Sequence, residues 1–232
     1  MYTLHITNKN YSSWSLRPWV LMRMLDIPFR EKLHPLPAGS AFDAFRTFSP
    51  SGRVPCLEDG GRAVWDSLAI VEYLAERHAG VWPADDGARA FARSAAAEMH
   101  SGFSALRNDC SMSCGVRVRP GEPSAALKQD IARLGELWNE GIARFGGPFL
   151  AGSAFTAVDA FYAPVAFRAQ TYGLTFEGAA SAYPALLLGL APMRQWYADA
   201  LAETWREEGH DAEVAAAGLV EADFRAAAQG NG

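Results

Sequence analysis

The fold of this chain is decided by residues 49–74, which read SPSGRVPCLEDGGRAVWDSLAIVEYL. Asp59-Gly60-Gly61 separates two short strand-like runs and therefore predicts a tight hairpin. From Leu68 onward, apolar side chains recur at helical spacing, which predicts an amphipathic helix that ends near Gly80. These residues therefore predict the last two strands and the last helix of a small sheet domain.

The residues before this segment complete the same domain. Residues 2–7 alternate apolar and polar side chains, which is typical of a half-buried strand. Residues 16–25 have helical spacing, residues 29–36 favour a second strand, and residues 40–48 favour a short helix. The predicted order over residues 1–80 is β-α-β-α-β-β-α, an α/β unit built on one small sheet.

Beyond residue 87 the strand signals fade, and the sequence predicts an all-α domain over residues 87–232. The predicted helices cover approximately residues 88–114, 131–145, 156–172 and 183–202. Residues 203–232 are polar and alanine-rich, which predicts a loose tail or one short helix. Thr156 and Asp159 have the spacing of a capping box, so we interpret that motif as structural.

Composition excludes several classes of protein. With 232 residues, 50% of them apolar, the chain can bury a substantial core, which excludes an intrinsically disordered protein. A formal net charge of −5 argues against nucleic-acid binding through counterion release. The sequence lacks an apolar run long enough for a membrane span and lacks a signal sequence, so we expect a soluble cytoplasmic protein.

The three cysteines do not suggest a disulfide scaffold or a metal centre. Cys110 and Cys114 are four residues apart on a predicted helix and would share a face. A zinc site needs more ligands than this pair, so we expect no metal.

A serine-rich segment, Ser12-Ser13-Trp14-Ser15, lies between the first predicted strand and the first predicted helix. Serines at a helix start can cap the helix, and the unpaired backbone N–H groups there also favour an anion. The sequence leaves both interpretations of Ser12 and Ser13 open.

Two further motifs suit a peptide ligand, one its extended backbone and the other its charged amino-acid end. A cis bond between Val54 and Pro55 would leave the backbone N–H and C=O of Val54 free to pair with an extended peptide. Asp66 could accept from an ammonium group while Ser67 donates to a carboxylate, although an ordinary helix cap explains the same pair.

Four side chains could line a pocket for a second, apolar substrate. They are Trp14, Met99, Phe103 and Arg107. Because ligand pockets and protein cores are both mainly apolar, the spacing also fits a core position for each of them.

In this order and spacing, the motifs resemble the cytosolic glutathione S-transferases over about residues 2–202. The resemblance is carried by residues 12–17 (SSWSLR), 49–57 (SPSGRVPCL), 66–74 (DSLAIVEYL) and 156–159 (TAVD). Within the family, the first stretch is most similar to the zeta class, with theta-like and other bacterial members nearby. The resemblance implies a thioredoxin-like N-terminal domain with a mixed four-stranded sheet, an all-α C-terminal domain, glutathione as co-substrate and a homodimer.

The resemblance also implies roles for the site residues. Ser12 or Ser13 would support the glutathione thiolate, and the zeta-type alignment favours Ser12. Trp14 stands where the zeta class usually has cysteine, which weakens assignment to a zeta isomerase.

The remaining implied roles concern the peptide part of glutathione. Val54 would pair with the cysteinyl residue, Pro55 would be the family's cis-proline, and Arg53 matches a position that contacts the tripeptide. Asp66 and Ser67 match the pair that holds the γ-glutamyl end.

Three hypotheses about function follow. The leading one is a glutathione transferase that joins the glutathione thiolate to a small electrophile in detoxification. The second is a glutathione-dependent cis-trans isomerase similar to maleylacetoacetate isomerase. The third is a glutathione-binding or scaffold protein without turnover, which the combination of Ser12, Pro55 and Ser67 disfavours.

Overall fold

The first part of the chain forms the predicted mixed sheet with three helices. The computed structural model describes residues 1–36 and 40–227. The elements in this part are β1 (Tyr2–Ile6), α1 (Ser13–Met24), β2 (Phe29–Leu33), α2 (Ala41–Phe45), β3 (Cys56–Asp59), β4 (Arg62–Val64) and α3 (Ser67–Ala75). The strand order is β2-β1-β3-β4, with β1 parallel to β2 and the other two pairs antiparallel. The predicted order β-α-β-α-β-β-α is therefore confirmed.

Strand β1 is buried on both faces at its end, although its alternating sequence predicts one solvent-facing side. Leu4 and Ile6 lie in the apolar core, as expected. His5 points to the other face and is also buried, because the rings of His34 and Phe48 stack over it with centroids 5.1 and 4.4 Å away. Burial lowers the pKa of His34 to about 4, so its ring is neutral at pH 7.

The second part of the chain is mainly helical, as predicted. Its elements are α4 (Asp86–Ser101), α5 (Ser104–Asp109), β5 (Val116–Pro120), α6 (Ala125–Phe145), α7 (Ala157–Tyr172), α8 (Tyr183–Gly189), α9 (Ala191–Ala202), α10 (Glu208–Ala216) and β6 (Gly218–Asp223). Helix α7 is buried along nearly its whole length and packs against α1 of the sheet region. The predicted capping box of Thr156 and Asp159 is present at its start.

The single helix predicted over residues 88–114 is wrong. Helix α4 ends at Ser101. At the following Gly102 a Cβ atom would lie 2.8 Å from the Glu98 carbonyl oxygen, and Phe103 then adopts a left-handed backbone with φ 56°. Helix α5 ends at Asp109. Cys110 and Cys114 consequently do not share a helical face.

The other differences lie near the end of the chain. The helix predicted over 183–202 is divided at Leu190, whose extended backbone separates α8 from α9. Of the two alternatives predicted for the tail, residues 203–227 contain the short helix, α10. They also contain β6, which the sequence did not predict and which pairs antiparallel with β5. Part of the predicted tail, residues 228–232, lies outside the described residues. Within the described part of the chain, we find no helix both long and apolar enough to cross a membrane.

Candidate functional site

Two neighbouring cavities lie beside the sheet, one lined by the sheet region alone and the other also by the second part of the chain. The first, which we call the sheet-edge cavity, has a volume of about 530 Å³ and is lined by Thr7, Trp14, Leu36, Ala41, Phe45, Ser51, Gly52, Arg53, Val54, Pro55, Trp65, Asp66 and Ser67. The second, the serine cavity, has a volume of about 280 Å³ and is lined by Thr7, Tyr11, Ser12, Ser13, Trp14, Leu36, Arg107, Ser111, Met112, Arg168, His210 and Glu213. Thr7, Trp14 and Leu36 belong to both linings, so the two cavities adjoin.

The turn before β3 forms one wall of the sheet-edge cavity. Gly52 has φ +65°, and a Cβ atom there would lie 2.5 Å from the Phe42 ring, so this tight turn requires glycine. The bond between Val54 and Pro55 is cis, as the sequence predicts. Within the described residues, the backbone N–H and C=O of Val54 have no hydrogen-bond partner. This backbone is therefore free to pair with an extended ligand.

The start of α3 forms the opposite wall. The Asp66 carboxylate accepts the Leu68 N–H at 3.0 Å, so Asp66 caps the helix. Its other oxygen lies 3.2 Å from His100 Nε2 on α4. Ser67, the first residue of the helix, is fully buried and lines the cavity. The capping interpretation is thus correct for Asp66, and its half-exposed carboxylate also borders the cavity.

A buried arginine lies behind Ser67, and the sequence reasoning did not assign it a role. Arg17 is fully buried, and its Nη1 donates to Ser67 Oγ at 3.5 Å. In the described part of the chain its Nε and Nη2 atoms have no hydrogen-bond partner, and the guanidinium stacks on Trp14 at 4.1 Å. Burial, followed by repulsion from Arg107 and Arg168, lowers the pKa of Arg17. Arg17 belongs to the 12–17 stretch that carries the family resemblance, and that resemblance implied no role for it.

Both predicted catalytic serines line the serine cavity, not the sheet-edge cavity. Ser12 is the N-cap of α1, where its Oγ accepts the Ser15 N–H at 3.3 Å and its hydroxyl donates to Ser15 Oγ at 2.7 Å. Ser13 is buried, whereas Ser12 is half-buried. Ser12 is therefore the more exposed residue of the two, and its hydroxyl is engaged with Ser15.

The loop that carries these serines is fixed from the far end of the chain. The Glu203 carboxylate accepts the backbone N–H groups of Lys9 at 2.6 Å and Asn10 at 3.2 Å. The Tyr11 hydroxyl donates to Asp211 of α10 at 3.0 Å. Contacts across almost 200 residues of sequence thus set the position of Ser12.

The structure separates the four side chains that the sequence proposed for a second-substrate pocket. Trp14 lines both cavities, and Arg107 lines the serine cavity. Met99 and Phe103 line neither of the two cavities, because α4 and the left-handed turn after it direct them into the apolar core. The residues that the sequence reasoning missed come from the distant C-terminal elements, above all Arg168, His210 and Glu213.

Metal ligation and cysteine chemistry find little support in the side-chain arrangement. Across residues 1–36 and 40–227, no group of three or more His, Cys, Asp or Glu side chains is arranged to hold a metal ion. Burial raises the pKa of the Cys110 thiol to about 11 and also raises that of Cys56. These thiols are therefore protonated at pH 7.

Comparison with protein families identifies the chain. Residues 11–77 match the N-terminal domain model of glutathione S-transferase, and residues 122–208 match the C-terminal domain model of the same family. The chain belongs to the glutathione S-transferase family. The predicted family resemblance and fold are thereby confirmed.

Individual relatives of this glutathione S-transferase family member are distant. A probable maleylacetoacetate isomerase of Caenorhabditis elegans is 25% identical over 165 residues, which cover 70% of this chain and 77% of the relative. A glutathione transferase homologue from Burkholderia with bound glutathione is 21% identical, with a TM-score of 0.64 over 86% of this chain and 97% of that one. A theta-class enzyme from Xanthomonas axonopodis pv. citri, also with glutathione bound, is 22% identical, with a TM-score of 0.62 over 84% and 96% of the two chains. At these identities the two structures support the fold.

Proposed function

We propose that this protein is a glutathione transferase that binds glutathione in the sheet-edge cavity and transfers it to a small electrophile in the serine cavity. The observation that carries the proposal is the unpaired Val54 backbone beside cis Pro55, which faces the same cavity as the buried Ser67. A tripeptide needs backbone partners along its length and a donor for its terminal carboxylate, and this cavity offers both.

The cysteinyl residue and the γ-glutamyl end of glutathione each have partners in the proposed complex. The Val54 backbone pairs with the cysteinyl residue, and Arg53 contacts the tripeptide from the exposed rim. Ser67 donates from its hydroxyl and backbone N–H to the γ-glutamyl carboxylate, and Asp66 accepts from the ammonium group. Arg17 supplies a positive charge behind Ser67, which the γ-glutamyl carboxylate compensates.

Ser12 stabilises the thiolate in this proposal. A free thiol of this type has a pKa of about 8.5, and lowering it by two units requires about 2.7 kcal/mol of preference for the anion. A charge-assisted hydrogen bond contributes about 1.5–3 kcal/mol, and a helix N-terminus adds about 0.3–1 kcal/mol. The Ser15 hydroxyl can turn to donate to Ser12 Oγ, which frees the Ser12 proton for the sulfur.

The reaction then joins sulfur to carbon. The thiolate attacks the electrophilic carbon, a carbon–sulfur bond forms, and the leaving group departs with the electron pair of the bond that breaks. Because Thr7, Trp14 and Leu36 are common to both cavities, the sulfur would lie at their junction. We further propose that the protein acts in detoxification as a cytoplasmic homodimer, with residues 1–80 as the glutathione domain and residues 87–232 completing the electrophile pocket.

A second candidate function uses the same thiolate without net transfer. The similarity to a probable maleylacetoacetate isomerase favours reversible addition to a double bond, which permits rotation before the sulfur leaves again. An isomerase would convert a cis olefin without consuming glutathione, whereas a transferase consumes one glutathione for each electrophile.

Retention on immobilised glutathione, followed by turnover of a generic aryl halide, tests the proposal. We expect Ser67→Ala to raise the glutathione concentration at half-saturation, while Ser94→Ala on the exposed side of α4 leaves it unchanged. Glutathione binding without conjugation or isomerisation would indicate a scaffold protein. If glutathione does not bind to the wild-type protein at all, the proposal is wrong.

A further inference from the structure

The serine cavity holds two guanidinium groups that the thiolate chemistry does not use. Arg107 on α5 donates from Nε to the Gly102 carbonyl at 3.0 Å and from Nη2 to the Met99 carbonyl. Arg168 on α7 donates from Nη1 to the Cys110 carbonyl. Both side chains are therefore fixed in place by backbone carbonyl oxygens.

Neither of these two positive charges has a salt-bridge partner among the described residues, although the Asp130 carboxylate, which accepts the Leu106 N–H, lies near enough to Arg107 to favour its charge. Within the described part of the chain, neither Arg107 nor Arg168 forms a salt bridge, and the buried Nε of Arg168 has no hydrogen-bond partner. Arg168 is only 5% exposed. Burial, followed by repulsion from Arg107, lowers the pKa of Arg168 to about 10, so it remains charged at pH 7. A buried guanidinium such as that of Arg168, with the partly buried cation of Arg107 close by, is costly unless a ligand compensates it.

The acidic groups near the cavity do not neutralise this charge. Glu213 lines the cavity but is exposed, and its carboxylate accepts from the Ser111 hydroxyl at 2.7 Å. Asp211 is paired with Arg225, and Glu207 is paired with His210. The deep side of the serine cavity therefore stays positive, while its acidic side chain lies at the solvent-exposed rim.

We propose that the second substrate carries a carboxylate, which Arg107 and Arg168 bind while the electrophilic carbon lies towards Ser12. This inference rests on the proposed glutathione transfer, because the thiolate must come from the adjoining sheet-edge cavity. A volume of about 280 Å³ suits a small molecule. The carboxylate takes no part in bond making, so it stays on the product while sulfur replaces the leaving group.

Two conjugates of glutathione that differ in one group test the inference without turnover. S-(4-carboxybenzyl)glutathione carries the carboxylate, and S-(4-carbamoylbenzyl)glutathione has a neutral amide of the same shape. We expect the wild-type protein to bind the carboxylate at least about tenfold more tightly in calorimetric titrations, as charge-assisted hydrogen bonds require. Arg107→Met and Arg168→Met should each remove most of this preference. Arg144→Met, at an exposed position on α6, should leave the preference unchanged.

The outcomes separate this inference from the proposed function. Equal affinity of the wild-type protein for both conjugates overturns the inference and leaves glutathione binding intact. If neither conjugate binds and glutathione itself does not bind, the proposed function fails and the inference fails with it. Arg168 also donates to the Cys110 carbonyl, so Arg168→Met is first checked for folding. If it does not fold, the affinities of the wild-type protein for the two conjugates, together with those of Arg107→Met, decide whether the inference holds.

Discussion

Replacing Arg17 with methionine should weaken glutathione binding without destabilising the ligand-free protein. The substitution keeps an unbranched apolar side chain but removes a fully buried charge that forms no salt bridge within the described residues. In the proposed complex this charge is compensated by the γ-glutamyl carboxylate at Ser67. The positive charge of Arg17 therefore stabilises the glutathione complex and destabilises the ligand-free protein.

The magnitude follows from the distance between Arg17 and Ser67. Arg17 Nη1 lies 3.5 Å from Ser67 Oγ. A carboxylate oxygen at hydrogen-bond distance from that hydroxyl lies no more than about 6 Å from Nη1. At an effective dielectric constant of about 20, two unit charges at this distance attract each other by about 2.8 kcal/mol, and by half of that at twice the dielectric constant. We therefore expect glutathione affinity to fall roughly 10- to 100-fold.

Although Arg17→Met weakens glutathione binding, it should not lower the stability of the ligand-free protein. A buried guanidinium without a salt bridge costs several kcal/mol, of which the attraction of Asp66 and the stacking on Trp14 and Phe161 recover only a part. Methionine removes that cost and fills most of the same space. We therefore expect the free energy of unfolding to be unchanged or to increase.

Two measurements on the same variants check this prediction. Calorimetric titration with glutathione gives the affinity, and urea denaturation without ligand gives the free energy of unfolding. Arg17→Lys keeps the charge and should retain part of the affinity, and Arg144→Met controls for the loss of a surface arginine. A variant that binds glutathione within twofold of wild type, or that loses affinity and stability together, would refute the proposed role of Arg17.

Three further predictions concern single sites. Ser12→Ala should raise the pKa of the bound glutathione thiol by about one to two units, as measured by thiolate ultraviolet absorbance, and an equal shift in Ser13→Ala would contradict the preference for Ser12. Asp159→Ala should lower the free energy of unfolding, measured by urea denaturation, by about 3 kcal/mol or more. The reason is that the Leu150 N–H, the Thr156 N–H and the Tyr183 hydroxyl would lose their buried acceptor. Asp159→Asn should lower the free energy of unfolding by less. The pKa of His34 is lowered to about 4 in the folded protein, whereas it is about 6.5 in the unfolded chain, so between these pH values the unfolded chain binds more protons. The urea concentration at the unfolding midpoint should therefore decrease as the pH is lowered from about 6.5 to about 4. His34→Phe should make this decrease smaller.

The features that the sequence predicts correctly depend on short stretches of chain. The hairpin at residues 59–61, the capping box of Thr156 and Asp159, and the start of α3 at Asp66 are each specified by neighbouring residues. The cis bond before Pro55 was implied by the family resemblance, and the structure contains it. The order of strands and helices in the first 80 residues could therefore be predicted from the sequence.

The features that the sequence missed depend on partners far along the chain. Val116-Arg117-Val118-Arg119 alternates as a strand should, but its partner β6 begins about 100 residues later, so no local signal indicated the pairing. Met99 and Phe103 looked equally suited to a pocket and to a core. The packing of α4 places Met99 in the core, and the left-handed turn after Gly102 places Phe103 there.

The sequence by itself determined which family this chain belongs to and which residues lie along the predicted glutathione groove, because the local motifs that carry those residues set their own backbone shape. Tertiary structure alone decided the electrostatics of the site. Arg17, Arg107 and Arg168 come from three separate helices. Sequence reasoning assigned no role to Arg17 or Arg168, and it offered Arg107 only as one candidate pocket residue. Packing brings all three near one another, with Arg17 and Arg168 buried and Arg107 partly buried, and none of them forms a salt bridge within the described residues. The cost of such a charge depends on what surrounds it in space, which the local sequence does not specify.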